Sequence, residues 1–171
     1  MIRKPNFFIV GAPKCGTTAL ATYLSEHPQV YFSKPKEIHY FSTDFYDFGF
    51  KGTVNDYLAN YFSKSINKQH LRIGEGSTWY LYSEKALENI FKFNKESKII
   101  VMIRKPSDMV YSLHSQLLFS GFENISDFYE AWNMQDKRRG GYNIPKWCKE
   151  KKFLLYGDIA KYSFQLERVY K

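Results

Sequence analysis

Cysteine is nearly absent. Only Cys15 and Cys148 occur, far apart and without metal-ligand spacing. That excludes a disulfide scaffold and a zinc cluster, and makes a reducing compartment the simplest expectation. No apolar run approaches the ~18 residues that a membrane helix requires, so no membrane span is expected. Nor does the N-terminus leave room for a signal peptide before an apolar run at 7–10. A cytoplasmic location is the expectation. Repeats, low-complexity tracts and linkers are missing too, which leaves a single domain over residues 1–171. Acidic residues are the minority, 17 against 25 Lys and Arg, for a formal net charge of +8. This balance suits an anionic ligand. Blocks of positive charge are lacking: Lys137, Arg138 and Arg139 form the one tight basic run. Three residues make no nucleic-acid signature, and the run is expected to be a solvated loop.

What the sequence does have is apolar and aromatic. Hydrophobic residues make up 44% and aromatics 19%, enough for a real core. The aromatics read either as a Phe-rich core with Tyr at its rim or as a stacking surface for a base or sugar. Residues 7–10 are a short apolar run followed by Gly11, as in a buried parallel strand. Residues 17–27 carry Leu20, Tyr23, Leu24 and His27 at helical spacing, closed by Pro28. A second β-branched run at 98–103 ends at Arg104. Pro106 then opens a helical pattern through Val110, Leu113, Leu117 and Leu118. Strand, turn and helix therefore occur twice, which predicts an α/β fold with a parallel sheet. Further helices are predicted at about 54–62, 86–93, 125–133 and 159–170, with a short strand at 71–73 and a basic glycine-containing loop at 137–142.

Gly11, Ala12, Pro13, Lys14, Cys15, Gly16, Thr17 and Thr18 sit between the first strand and the first helix. Backbone N–H groups at a helix N-terminus point outward unpaired, and the helix dipole favours an anion there. The nucleotide triphosphatase loop, G-x4-G-K-[ST], has its lysine after the second glycine. Here Thr17 occupies that place and the lysine stands inside the loop, at Lys14. A triphosphatase strand usually ends with an Asp for Mg²⁺, whereas the run at 98–103 ends with Arg104. An anion held by side-chain cations, with no metal, fits this pattern better. Ligands of parallel sheets bind beyond the carboxyl ends of the strands, where Arg104 should meet the loop. Arg104 with Ser112, two turns into the next helix, suits a second phosphate.

These residues carry a resemblance. Pro13, Lys14, Cys15, Gly16, Thr17 and Thr18 resemble the 5′-phosphosulfate loop of sulfotransferases that use 3′-phosphoadenosine 5′-phosphosulfate (PAPS). Arg104 and Ser112 are similar in type and spacing to that family's 3′-phosphate motif. The segment from Lys34 through Lys36, Glu37, His39 and Tyr40 to Phe41 resembles the K-E-x-x-[FY]-F stretch of the carbohydrate and bacterial branch. Gly74, Glu75, Gly76, Ser77 and Thr78, followed by Trp79 and Tyr80, resemble the next motif in family order. A weaker match runs from Tyr162 through Gln165 and Leu166 to Glu167.

The resemblance implies a P-loop-type three-layer fold, a central parallel sheet flanked by helices. It implies transfer of a sulfuryl group from PAPS to a hydroxyl of a glycan or small molecule, without a metal. Lys14 would stabilise the leaving oxygen, the rest of the loop would hold the 5′-phosphate, and Arg104 and Ser112 the 3′-phosphate. Glu37 would be the general base, with His39 and His114 as rivals. Gly76 stands where relatives often have a second lysine, and Met109 where they often have another arginine. Members are usually longer, so the usual C-terminal part is expected to be lacking. A P-loop kinase or triphosphatase, and a non-catalytic phosphoadenosine-binding module, are the alternative readings.

Overall fold

In the computed structural model, which describes residues 3–63 and 66–170, the first strand decides the layering. β1 (Phe7–Gly11) is buried at every position, and successive side chains of a strand point to opposite faces. Phe7 and Ile9 enter a small core with Ala21 and Phe32. Phe8 and Val10 enter a larger one with Phe41, Tyr57, Tyr80, Ile90 and Met109. Burial on both faces removes any need for polar alternation, and the strand reads as a continuous apolar run.

The small core is closed by α1 (Thr17–Glu26), whose Ala21 is buried with Leu20 and Leu24 packed alongside. Tyr23, which fits the helical spacing, is 69% exposed. After β2 (Val30–Phe32), α2 (Val54–Phe62) opens with a capping box. Thr53 Oγ1 accepts from Asp56 N at 3.2 Å, and Asp56 accepts from Thr53 N at 2.9 Å. Then come β3 (Arg72–Gly76), α3 (Ala86–Phe93), β4 (Lys98–Val101) and α4 (Pro106–Phe119). Pro106 sits in the first turn of α4, where its missing N–H costs nothing. The chain ends through α5 (Phe128–Asn133), α6 (Gln135–Arg139), a 3₁₀ turn at Lys151–Leu154, α7 (Tyr156–Ile159) and α8 (Tyr162–Glu167).

All strand pairs are parallel, in the order β2-β3-β1-β4. β1 thus lies between β3 and β4, and the chain crosses over it to pass from one to the other. In such sheets the crevice for ligands forms beyond the carboxyl end of the strand at this reversal. The fold is the predicted α/β arrangement, a parallel sheet with helices against it.

Three local expectations are corrected. The helix predicted over 125–133 begins only at Phe128, because Asp127 caps it by accepting from Glu130 N at 2.8 Å. The helical pattern at 159–170 is realised only as the short α8 (Tyr162–Glu167), since α7 ends at Ile159 and is separate from it. The basic run at 137–139 is not a solvated loop: it lies in α6, with Arg138 fully buried. The Arg138 guanidinium makes a two-pronged pair with the Glu123 carboxylate, which also accepts from Tyr156 Oη at 2.7 Å. Composition shows three cations in a row but not the carboxylate that folds back onto one of them. Strand β2 was not foreseen, since three residues between turns leave too little pattern.

Candidate active site

Gly16 takes a left-handed φ of 80° at the N-cap of α1, a conformation glycine adopts without penalty. No side chain caps this helix, so its first-turn N–H groups remain available to an anion. Pro13, Lys14, Gly16, Thr17 and Thr18 line one cleft of about 550 Å³. Lys14 Nζ lies 3.2 Å from Gln116 Oε1 on α4. Thr17 is buried, and its hydroxyl accepts from Lys36 Nζ at 3.4 Å. Cys15 turns away from the cleft. Its thiol lies 3.3 Å from the Pro13 carbonyl and 3.6 Å from Tyr162 Oη, supporting the loop from behind.

The facing wall is the segment after β2, tied to the end of β3. Glu37 N donates to the Gly76 carbonyl at 2.9 Å. The Glu37 carboxylate accepts from Thr78 N at 2.8 Å, Thr78 Oγ1 at 3.1 Å and His39 Nε2 at 3.0 Å, and pairs with the Lys36 ammonium. Burial alone would raise its pKa, but hydrogen bonding and charge from His39, then from Lys36, outweigh it and carry Glu37 down to about 2. His39 is driven the other way from an acidic partner's usual effect: burial lowers its pKa against the pull of Glu37. With Nε2–H given to Glu37, Nδ1 has no hydrogen-bond partner among the described residues. Lys14, Glu37 and His39 have φ values of 59°, 66° and 55°. Non-glycine residues in this region cost ~1–3 kcal/mol each unless their surroundings hold them. Three of the four such residues among those described thus gather in one cleft.

Aromatic side chains close the cleft. Phe48, Trp79, Phe122 and Phe153 line it, with Trp79 stacked on Phe153 at 4.0 Å. His114, by contrast, is outside. Its Nε2 lies 2.8 Å from the Ile125 carbonyl, and it packs on Phe128 and Tyr156 as a core residue.

Arg104 and Ser112 come together in a second, shallower pocket of about 560 Å³, with Ser107, Tyr111 and Ser115. Arg104 is half-exposed and its nearest acidic partner, Asp108, is 3.7 Å away. Met109 is fully buried and faces the core. Gly76 has no room for a long side chain: a Cβ there would lie 2.8 Å from the Phe32 ring and 3.4 Å from Lys36 Cε. The Lys36 side chain thus runs over the space above position 76. Among the described residues, no group of three His, Cys, Asp or Glu side chains is placed to hold a metal ion.

Lys14, Glu37 and Thr17 stand out in the sequence, but what connects them does not. Lys36 bridges the loop to Glu37, Thr78 fixes the carboxylate, and His39 Nε2 lies 3.0 Å from it. The signal was present in the adjacency of Lys36, Glu37 and His39, but the left-handed backbone at Glu37 and His39 was not readable. Behind them lies Glu75, fully buried, accepting from Tyr57 Oη and Tyr80 Oη at 2.9 Å each and from Ser77 Oγ. Burial lifts its pKa to about 7, against these three hydrogen bonds.

Residues 5–150 match the family described as "Sulfotransferase family". The membrane-associated sulfotransferase kil1 of Dictyostelium discoideum is 35% identical over 104 residues, covering 60% of this chain and 21% of that protein. The human bifunctional heparan sulfate N-deacetylase/N-sulfotransferase 3 is 30% identical over 138 residues, covering 72% of this chain and 15% of that protein. A solved sulfotransferase from Alicyclobacillus acidocaldarius superposes with a TM-score of 0.76 at 27% identity, covering 98% of this chain and 68% of that one. The chain therefore spans a small part of the curated relatives' length and about two thirds of the solved one.

Proposed function

Because this chain belongs to the sulfotransferase family, we propose that it transfers a sulfuryl group from PAPS to a hydroxyl of a carbohydrate or small-molecule acceptor. The observation that carries this reading is the cleft in which an uncapped helix N-terminus and two lysines face one ionised carboxylate. A phosphosulfate suits the first side and a hydroxyl proton the second.

The residues fit the donor's two charged ends. Loop N–H groups, Thr17, Thr18 and Lys14 would hold the 5′-phosphosulfate. Arg104 and Ser112, in their own pocket, would take the 3′-phosphate that distinguishes this nucleotide from ATP. Lys14 would neutralise charge on the bridging oxygen as its bond to sulfur breaks. The acceptor oxygen forms the new bond to sulfur, its proton passes to Glu37, and adenosine 3′,5′-bisphosphate leaves. His39 would hold the carboxylate in line by its Nε2–H.

Lys36 bears on the strength of the base. Its ammonium touches both Glu37 and the Thr17 hydroxyl. An anion in the loop would compete for that ammonium and weaken its hold on Glu37, raising the carboxylate's proton affinity when the donor is bound. The aromatic walls offer flat apolar surface to the face of a sugar or an aromatic alcohol. The test is sulfation of an acceptor panel with labelled PAPS, followed by mass spectrometry of the products. Label transfer that requires Lys14 and Glu37 supports the reading. Phosphate release from ATP, with no label transferred from PAPS to any acceptor, would overturn it.

A further inference from the structure

We propose that Glu75 is a positioning residue, a buried carboxylate that sets the Glu37–His39 segment through two hydroxyl relays. The inference rests on the sulfotransferase reading for what that segment does, but its geometry stands by itself.

One relay runs through Ser77, whose hydroxyl donates to Glu75 Oε1 and accepts from the backbone N–H of His39 at 2.9 Å. The other runs through Tyr80, whose hydroxyl donates to Glu75 Oε2 at 2.9 Å and accepts from the backbone N–H of Phe41 at 3.3 Å. Each hydroxyl has one hydrogen to give. By accepting both hydrogens, the Glu75 carboxylate turns both oxygen lone pairs toward the segment. The segment carries no regular secondary structure there, and two of its residues, Glu37 and His39, have left-handed φ. Backbone N–H groups buried off a helix or strand need such partners. The relays supply them at the two alternate positions that follow Glu37.

The third bond to Glu75 is of a different kind. Tyr57 Oη donates to Oε2 at 2.9 Å, and its ring stacks on Tyr40 at 4.4 Å. Its hydroxyl is bonded to no backbone group of residues 37–41. Tyr57→Phe therefore removes one hydrogen bond to the same carboxylate, keeps the ring, and leaves both relays intact. It is an internal control for the stability cost of disturbing Glu75.

The experiment compares Ser77→Ala, Tyr80→Phe, Glu75→Gln and Tyr57→Phe. Hydrogen exchange is read at the His39 and Phe41 amides by NMR, alongside affinity for adenosine 3′,5′-bisphosphate and turnover with PAPS. Loss of an acceptor should speed exchange by about 10-fold at the amide concerned. We expect this at His39 for Ser77→Ala, at Phe41 for Tyr80→Phe and at both for Glu75→Gln. Turnover should fall by about 10-fold in all three, with nucleotide affinity unchanged. Tyr57→Phe should lose stability without either effect. Unchanged amide exchange in the relay variants, or an equal loss of turnover in Tyr57→Phe, would overturn the proposal. A wild-type chain that binds the nucleotide but transfers nothing would refute the sulfotransferase reading instead. The exchange pattern alone would then decide whether Glu75 holds the segment.

Discussion

Replacing Glu37 with glutamine would remove the proposed proton acceptor and keep the shape. The carboxylate has four donors around it: the Lys36 ammonium, His39 Nε2, Thr78 N and Thr78 Oγ1. A glutamine oxygen would retain some of these, but its amide N–H₂ would face another donor. The drop in pKa from 4.5 to about 2 corresponds to roughly 3 kcal/mol favouring the charged form. The carboxylate is 36% exposed, so solvent screening reduces the expected loss of stability to about 1–2 kcal/mol. A depressed folded-state pKa stabilises the fold above the unfolded value. The stability gap between wild type and Glu37→Gln should thus be full at pH 7 and shrink as pH falls from about 4.5 toward 2. Denaturant melts at pH 7 and at about pH 3, inside that window, measure this directly. Turnover should fall by ~10²–10⁴ while bisphosphate affinity is kept. If Glu37→Gln turns over normally and His39→Ala does not, the base is His39 and the assignment to Glu37 is wrong.

Lys14→Ala should lower turnover by ~10²–10³, because the charge it meets grows only as the bond to sulfur breaks; steady-state kinetics at saturating donor read this. Arg104→Ala should instead weaken bisphosphate binding by about 1.5–3 kcal/mol, and unchanged affinity would place the 3′-phosphate elsewhere. Arg138→Ala leaves Glu123 charged and buried, so a loss of about 3–5 kcal/mol is expected in denaturant melts. Glu75 has a raised pKa, which gives the opposite pH sense from Glu37. Its contribution favours the fold below about 4.5 and is lost as pH rises through about 7. The thermal midpoint of Glu75→Gln should be flatter than that of wild type across this window.

The sheet and the loop were legible because both depend on local pattern. Phe7, Phe8, Ile9 and Val10 announce a strand buried on both faces, and Gly16 with Thr17 announces an anion-ready helix start. Arg104 and Ser112 could be paired because a strand end and the second turn of the next helix have fixed geometry. The segment around Glu37 was harder. Its backbone is irregular, held by Gly76, Ser77, Thr78 and Tyr80 from far along the chain, and no local periodicity encodes such contacts. The same holds for Arg138, whose burial depends on Glu123 and Tyr156. His39 and His114 look alike in sequence. Only the fold separates the one that bonds Glu37 from the one that bonds the Ile125 carbonyl.

Two separate phosphate sites, as proposed, would select a nucleotide phosphorylated at both ends of its ribose. Calorimetric titration with adenosine 3′,5′-bisphosphate, in the absence of added metal, tests this most directly, with AMP and ATP plus Mg²⁺ as comparisons. The bisphosphate is expected to bind far more tightly than either, and Arg104→Ala to bring its affinity down toward that of AMP. Equal or tighter binding of ATP with Mg²⁺ would contradict it.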